Sequence, residues 1–400
     1  MSGDGLELGL PNAAADRGLV VVWGIFARMP YGGVTWQAMH HVMGLRRLGF
    51  DVWYVEDSDS PLYDPRTHWR TMEFEQNVRF LERWMDALGM EDRWIFRPPG
   101  GGQQPIGADE ATLRDLYARA DLVLNLCGSH EVRAEHAEIG TLAYVQTDPV
   151  ELQVGLANGD DDVAPQLDAH HFHFTYGENL GAADCPVPVG SYRWLTTRPP
   201  VVLDWWGSAN GPARDALTTI ANWRHEGKDV VWEGRRWHWS KDREFRRFHS
   251  LPSRAAMPLE LALGSIDEDE KEGLRREGWN VAESIGDPRR YRDYIVESAG
   301  EFTVAKEQYV APRSGWFSDR SACYLAAGRP VVTQDTGFGK FVPTGEGLFA
   351  YSTTEEAAAA IETIAADYER HSAAAREIAR EYFDAERLLE RMLAEVGMGR

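Results

Sequence analysis

The chain has 400 residues, enough for two or three domains, and its 42 Lys and Arg stand against 63 Asp and Glu, a formal net charge of -21. That balance argues against a general nucleic-acid binder, which needs a basic face, and makes loops that gather arginines or lysines informative. With 43% hydrophobic residues and 15 tryptophans the chain can bury substantial cores, while its mean hydropathy is -0.43 and no apolar run reaches the ~18 residues of a membrane span.

Met1–Arg17 is rich in Gly, Ala and Asp, lacks the basic start and apolar core of a signal peptide, and reads as a flexible tail of a cytoplasmic protein. Three cysteines, Cys127, Cys185 and Cys323, have neither the even count nor the spacing of a disulfide or zinc framework. Gly18–Ile25 is a continuous apolar run and predicts a buried strand. A loop with Tyr31-Gly32-Gly33 follows, then a helix over Thr35–Leu48 and a strand over Phe50–Glu56. This is a strand–glycine loop–helix–strand unit of the Rossmann kind, without a G-x-G-x-x-G fingerprint.

Asp64–Leu88 reads as helical and Pro98–Gln104 as a flexible break. Ala111–Ala120 predicts a helix, Asp121–Leu126 a strand running into His130, Thr141–Thr147 a strand running into Asp148, and His171–Thr175 a short strand. Cys185–Pro200 holds four prolines and reads as a linker. A second series follows, with strands expected over Val201–Trp205, Leu217–Ile220, Val230–Glu233, Pro258–Leu263, Trp279–Ala282 and Glu301–Ala305. Helices are expected over Lys241–Phe248, Asp267–Glu277 and Asp287–Ala299. Strands alternating with helices predict parallel sheets, whose ligands sit beyond the carboxyl ends of the strands.

Arg313–Gly339 reads as loop, helix, buried strand and glycine-bearing turn. Arg313, Gly315, Ser318, Asp319, Arg320 and Ser321 collect small, hydroxyl and guanidinium groups where a helix begins, a setting that suits a phosphate. Ser318 and Asp319 serve equally well as ordinary helix caps. After a strand over Pro330–Thr333, Asp335-Thr336-Gly337 forms a turn. Gly347–Tyr351 is a last strand, and Glu355–Glu369 and His371–Val396 are long amphipathic helices.

Two αβ halves with C-terminal helices resemble the GT-B architecture of nucleotide-sugar glycosyltransferases. Pro30-Tyr31-Gly32-Gly33-Val34, with Leu45-Arg46-Arg47-Leu48-Gly49-Phe50-Asp51-Val52 closing the helix, resembles the P-x-G-G…L-x-x-x-G-H-x-V opening of retaining members, with Phe50 in place of His. Leu325-Ala326-Ala327-Gly328-Arg329-Pro330-Val331-Val332 is similar to their EAMAAGxPVV segment. Their E-x7-E pair is missing, its positions being Gly315 and Cys323. Gly315-Trp316-Phe317-Ser318 instead resembles the G-W-x-S of inverting members, with Arg313 where those carry a His. Stereochemistry stays open between the two.

The resemblance implies an α/β protein of two Rossmann-like doubly wound domains facing a cleft. An acceptor domain would span 18–197 and a donor domain 198–380, with 381–400 a helix returning to the first. It implies transfer of a sugar from a nucleoside-diphosphate sugar, the co-substrate, to a small-molecule or glycan hydroxyl, without metal or other cofactor. Lys306, Arg313, Ser318 and Arg320 would neutralise the diphosphate; Asp319 and Ser321 would take the ribose; Asp335, Thr336 and Gly337 would reach the sugar. Thr219, Asn222 and Lys241 are further donor contacts, and Gly32 and Gly33 allow close backbone approach. His130 or Asp148 would be the base. Asp160-Asp161-Asp162 lies in a loop with no strand leading in, and His170, His171 and His173 alternate between faces, so neither is taken as a metal site. An epimerase of the same architecture and a degenerate nucleotide-sugar or partner-binding protein are the competing readings. The assembly is compatible with a homodimer.

Overall fold

A computed structural model of the chain describes Leu8 and residues 15–67, 69–160, 162–207 and 211–399. Most of the expected N-terminal tail, and Asp161 of the acidic triplet, lie outside the described residues. The first half runs β1 (Leu19–Trp23), α1 (Gly32–Arg47), β2 (Asp51–Glu56), β3 (Leu62–Asp64), β4 (Trp69–Thr71), α2 (Glu75–Ala87) and β5 (Trp94–Phe96). It continues with α3 (Glu110–Arg119), β6 (Leu122–Leu126), β7 (Leu142–Gln146), α4 (Glu151–Ala157), α5 (Val163–Asp168), β8 (Phe172–Thr175) and β9 (Trp194–Thr196).

The second half runs β10 (Leu217–Asn222), β11 (Val230–Trp232), β12 (Arg235–Trp237), α6 (Asp242–Arg247), β13 (Leu259–Gly264), α7 (Glu268–Arg276), β14 (Asn280–Glu283) and α8 (Pro288–Glu297). Then come β15 (Gly300–Thr303), α9 (Glu307–Val310), α10 (Asp319–Ala326), β16 (Val331–Gln334), β17 (Leu348–Tyr351), α11 (Thr354–Ala366), α12 (Tyr368–Tyr382) and α13 (Ala385–Glu395).

Among the described residues, one parallel sheet has the order β5-β2-β1-β6-β7-β8-β9 and a second the order β14-β13-β10-β15-β16-β17. Strand order reverses between β1 and β6 in the first and between β10 and β15 in the second, and each reversal opens a crevice at the carboxyl ends. The apolar runs follow from burial on both faces. Val20 and Val22 pack with Met39 and Val42 of α1, while Val21 and Trp23 pack with Leu113 and Tyr117 of α3. Helix α1 is the shared wall between the halves. Its Trp36 Nε1 donates to Pro288 O at the start of α8 (2.8 Å), and a Cβ on its Gly44 would lie 2.4 Å from Leu389 Cδ1 of α13.

Several expectations are corrected. The described residues of 64–74 are not helical: Pro65 holds Asp64 extended, the Asp64 carboxylate accepts from Arg66 N (2.9 Å), and β3 pairs with β4. The proline-rich stretch Cys185–Pro200 is not only a linker, because β9 within it is the edge strand of the first sheet. Val201–Trp205 makes one bridge, to Asp384, then turns through Leu203–Trp206 so that both Trp205 and Trp206 are buried. β11 leaves the main sheet and pairs antiparallel with β12, because Glu233 and Gly234 both take positive φ (48° and 75°) and make a tight hairpin turn. The expected helix His371–Val396 is two helices: Phe383 and Asp384 break it, and the Asp384 carboxylate caps α13 by accepting from Arg387 N (3.0 Å).

Gly315 joins the halves. Its φ is 79°, and a Cβ there would meet the backbone N of Asn179 at 2.4 Å. Gly315→Ala is expected to destabilise the fold by roughly 2–4 kcal/mol, from left-handed strain plus overpacking against immobile backbone, read as a lower denaturant midpoint.

Candidate active site

A cleft of about 650 Å³ lies where the carboxyl ends of the two sheets face each other. Ile25 after β1, Cys127 after β6, Thr147 and Asp148 after β7, and Gly33 and Gln37 of α1 form one wall. Tyr291 of α8 and Ser318, Asp319 and Arg320 at the N-terminus of α10 form the other, with Lys228 at the side. Gly32 is a packing position: a Cβ would lie 2.7 Å from that of Tyr291. Gly33 presents bare backbone to the cleft.

Most charges in the cleft are paired. Lys306 Nζ donates to Asp148 Oδ1 (3.0 Å) and lies 3.1 Å from the centre of the Trp239 ring. The Tyr309 hydroxyl also donates to Asp148. Burial alone would raise the Asp148 carboxyl, but Lys306 and Tyr309 outweigh it and hold it below its ordinary value. Lys228 pairs with Glu151 (3.0 Å). Arg320 spends one N–H each on Glu301 Oε1 (2.5 Å), Ile220 O (2.7 Å) and Thr303 Oγ1 (2.7 Å), which leaves two of its five donors.

Two groups are not paired off. The Lys241 ammonium has no hydrogen-bond or ion-pair partner among the described residues, and burial, then the nearby Arg320 and Lys306, push it well below the ordinary lysine value. Asp319 Oδ1 accepts from Gln37 Nε2 (3.1 Å), its only side-chain partner among the described residues. Burial, with Asp148 adding like charge, pushes its carboxyl up to about 6.

Other expected site residues fall elsewhere. His130 is fully buried: Nε2 accepts from Asp57 N (2.6 Å), Nδ1 faces Ser129 Oγ (2.7 Å), and the ring stacks on Trp23 at 4.8 Å. Burial drives its pKa well down, and it lies outside the cleft, so it is not placed to serve as a base there. Arg313 turns away to Asp335 (2.9 Å) and Asp184 (3.3 Å), and Asn179 Nδ2 donates to its carbonyl (2.7 Å). With Gly315, Thr336 and Gly337 it builds a seam between the halves: Gly315 N donates to Thr336 O (2.7 Å), Gly337 N to Asp335 Oδ1 (2.7 Å), and Asn179 N to Ser314 O (3.0 Å). Thr219 is buried against Thr303 (3.2 Å), Asn222 is exposed at the end of β10, and the Ser321 hydroxyl is buried without a partner. None of these lines the cleft. Asp57, Glu135 and His136 bring ligand atoms within 4.8 Å of one another, but Arg97 and Arg133 already neutralise Asp57, which disfavours a cation.

Gln37, Cys127, Lys228, Tyr291 and Tyr309 were not singled out from the sequence. Lysine scarcity was the available signal. The chain has only five, Lys228, Lys241, Lys271, Lys306 and Lys340, and the first, second and fourth flank this cleft.

No protein-family model and no curated protein sequence matches the chain. Solved structures do. AviGT4, a glycosyltransferase involved in avilamycin A biosynthesis, is 14% identical, with a TM-score of 0.57 over 95% of this chain and 97% of that one. An alpha-glucosyltransferase in complex with UDP-glucose and DNA containing an abasic site is 11% identical, with a TM-score of 0.58 over 95% and 99%. Sucrose-phosphate synthase from Thermosynechococcus elongatus is 13% identical, with a TM-score of 0.52 over 94% and 98%. The fold is therefore GT-B. Among the described residues no helix is long and apolar enough to cross a membrane.

Because the folded chain holds the Asp319 proton more tightly than an unfolded one, ionisation of this group opposes folding as pH rises from about 4 through 6. Asp319→Asn is expected to match the parent in stability at about pH 4 and exceed it at about pH 8, in denaturation midpoints measured across that range.

Proposed function

We propose that the protein is a glycosyltransferase that moves a sugar from a nucleoside-diphosphate sugar to a hydroxyl acceptor, without a metal. The fold supports this through neighbours that are glycosyltransferases, one of them in complex with UDP-glucose. The observation that carries the reading is Lys241, a lysine without an anionic partner, set beside Lys306, Arg320 and the open N-terminus of α10. An otherwise acidic protein thus leaves one lysine without an ion-pair partner next to the cationic side of the cleft.

In glycosyl transfer the acceptor oxygen attacks the anomeric carbon and the sugar–phosphate bond breaks, so negative charge grows on the diphosphate. Lys241, the free donors of Arg320 and the backbone N–H groups at the start of α10 would meet that charge, and Lys306 would share itself between Asp148 and the ligand. These fixed cations supply what a divalent ion would otherwise supply. The second sheet would hold the nucleotide and the first the acceptor, with Trp239 and Tyr291 as apolar surfaces beside the reacting groups.

Thermal-shift and calorimetric titrations with UDP, dTDP, GDP and ADP, with Mg²⁺ or with EDTA, test this. At least one nucleotide is expected to stabilise the protein equally in both conditions; no response to any of the four sinks the reading. Lys241→Ala and Lys306→Ala should each weaken that nucleotide about 10- to 100-fold, the loss of one charge-assisted contact. Arg313→Ala, which removes a seam contact and no cleft residue, should leave affinity within about twofold.

A further inference from the structure

Four carboxylates line the cleft, and their partners separate them. Asp148 is held by Lys306 and Tyr309, Glu151 by Lys228, and Asp160 accepts from the backbone N of Asp162 (3.2 Å). Asp319, unlike Asp148 and Glu151, forms no ion pair among the described residues, and its one side-chain partner is the neutral amide of Gln37. His130, the histidine expected to serve as base, is sealed beneath Trp23.

The Asp319 carboxylate is also held in place. Thr147 Oγ1 donates to Cys127 Sγ (3.2 Å), the Cys127 thiol donates to Gln37 Oε1 (2.9 Å), and Gln37 Nε2 donates to Asp319 Oδ1. The thiol keeps its proton, because burial pushes it up to about 12. The chain therefore runs one way: the thiol fixes the Gln37 amide so that its NH₂ faces Asp319, which lines the cleft with Oδ1 engaged by that amide. Gln37 is a positioning residue.

We propose that Asp319 is the proton acceptor of the transfer, an assignment that rests on the glycosyl-transfer reading above. As the acceptor oxygen bonds to the anomeric carbon, the hydroxyl proton passes to the Asp319 carboxylate and the electron pair of the breaking sugar–phosphate bond leaves on the diphosphate. One negative charge disappears from Asp319 as one appears on the leaving group beside it, so the charge held in the cleft is unchanged through the step. A carboxylate that stayed ionised at the start of α10 would instead repel the departing diphosphate. The groups facing Asp319 agree with this. Asp148 and Arg320 are charged, while Cys127, Cys323, Tyr176 and Tyr309 are buried and held neutral. Burial and Asp148 already bring the carboxyl to about 6 in the empty cleft, within reach of the neutral range a base requires.

UDP imitates the product state and reads the proton directly. Calorimetric titration at about pH 7 in two buffers of different ionisation enthalpy gives the protons taken up per UDP bound. Wild type is expected to take up about half to one proton more than Asp319→Asn, and the variant to bind UDP at least as tightly at about pH 8. Equal proton uptake in the two proteins overturns the proposal. So does a loss of UDP affinity of roughly tenfold or more in the variant, which would make Asp319 a ligand of the nucleotide. Failure of wild type to bind UDP or any other nucleotide sinks the glycosyl-transfer reading instead.

Discussion

The arrangement depends on helix α1 touching three partners at once. Its N-terminus meets Tyr291 through Gly32, its middle packs His40 among Trp36, Trp205 and Trp206, and its C-terminal half accepts α13 against the bare backbone of Gly44. Close packing leaves such contacts little room to adjust, because side chains added at these points would push the helices apart. The first turns of the same helix carry Gly33 and Gln37 into the cleft. The helix that sets the orientation of the two sheets is thus also a wall of the site between them, and cleft geometry follows from core packing.

Electrostatics then selects what that cleft can do. The protein is strongly acidic, yet three of its five lysines gather at one end of the second sheet. Two of them carry acidic partners from the first half, Asp148 and Glu151, so the walls are joined by ion pairs that are accessible enough to exchange for a ligand. Such half-exposed pairs contribute little to stability. Their consequence is a cleft in which Lys241 and Asp319 have no ion-pair partner among the described residues, one suited to an anion and the other to a proton.

The parallel sheets were legible in the chain, but the order of their strands was not. Continuous apolar runs such as Leu19–Trp23 occur where both faces of a strand are covered, and helices between them force parallel pairing. Short edge elements were not legible. β5 and β9 are three residues each, and the β3–β4 pair hides in a run with helical spacing. Of the expected site residues, Asp148, Lys306, Ser318, Asp319 and Arg320 come together with Gly33 in or beside the cleft, and Lys241 lies close to Arg320 and Lys306. The stretch Arg313–Gly339 divides: its helix start faces the cleft, while Arg313, Gly315 and Asp335–Gly337 close the seam on Asn179 and Asp184.

The sequence by itself determined that strands and helices alternate, where each strand ends, and therefore which short segments could meet a ligand. Those features are local, written in hydrophobic period and in caps. Only the tertiary structure decided which way each side chain at a strand end turns and what neutralises it. His130 and Asp148 both follow strands of the first sheet, yet Trp23 covers one and Lys306 reaches the other from 158 residues away. Burial and pairing depend on atoms brought together by packing, and no spacing along the chain encodes them.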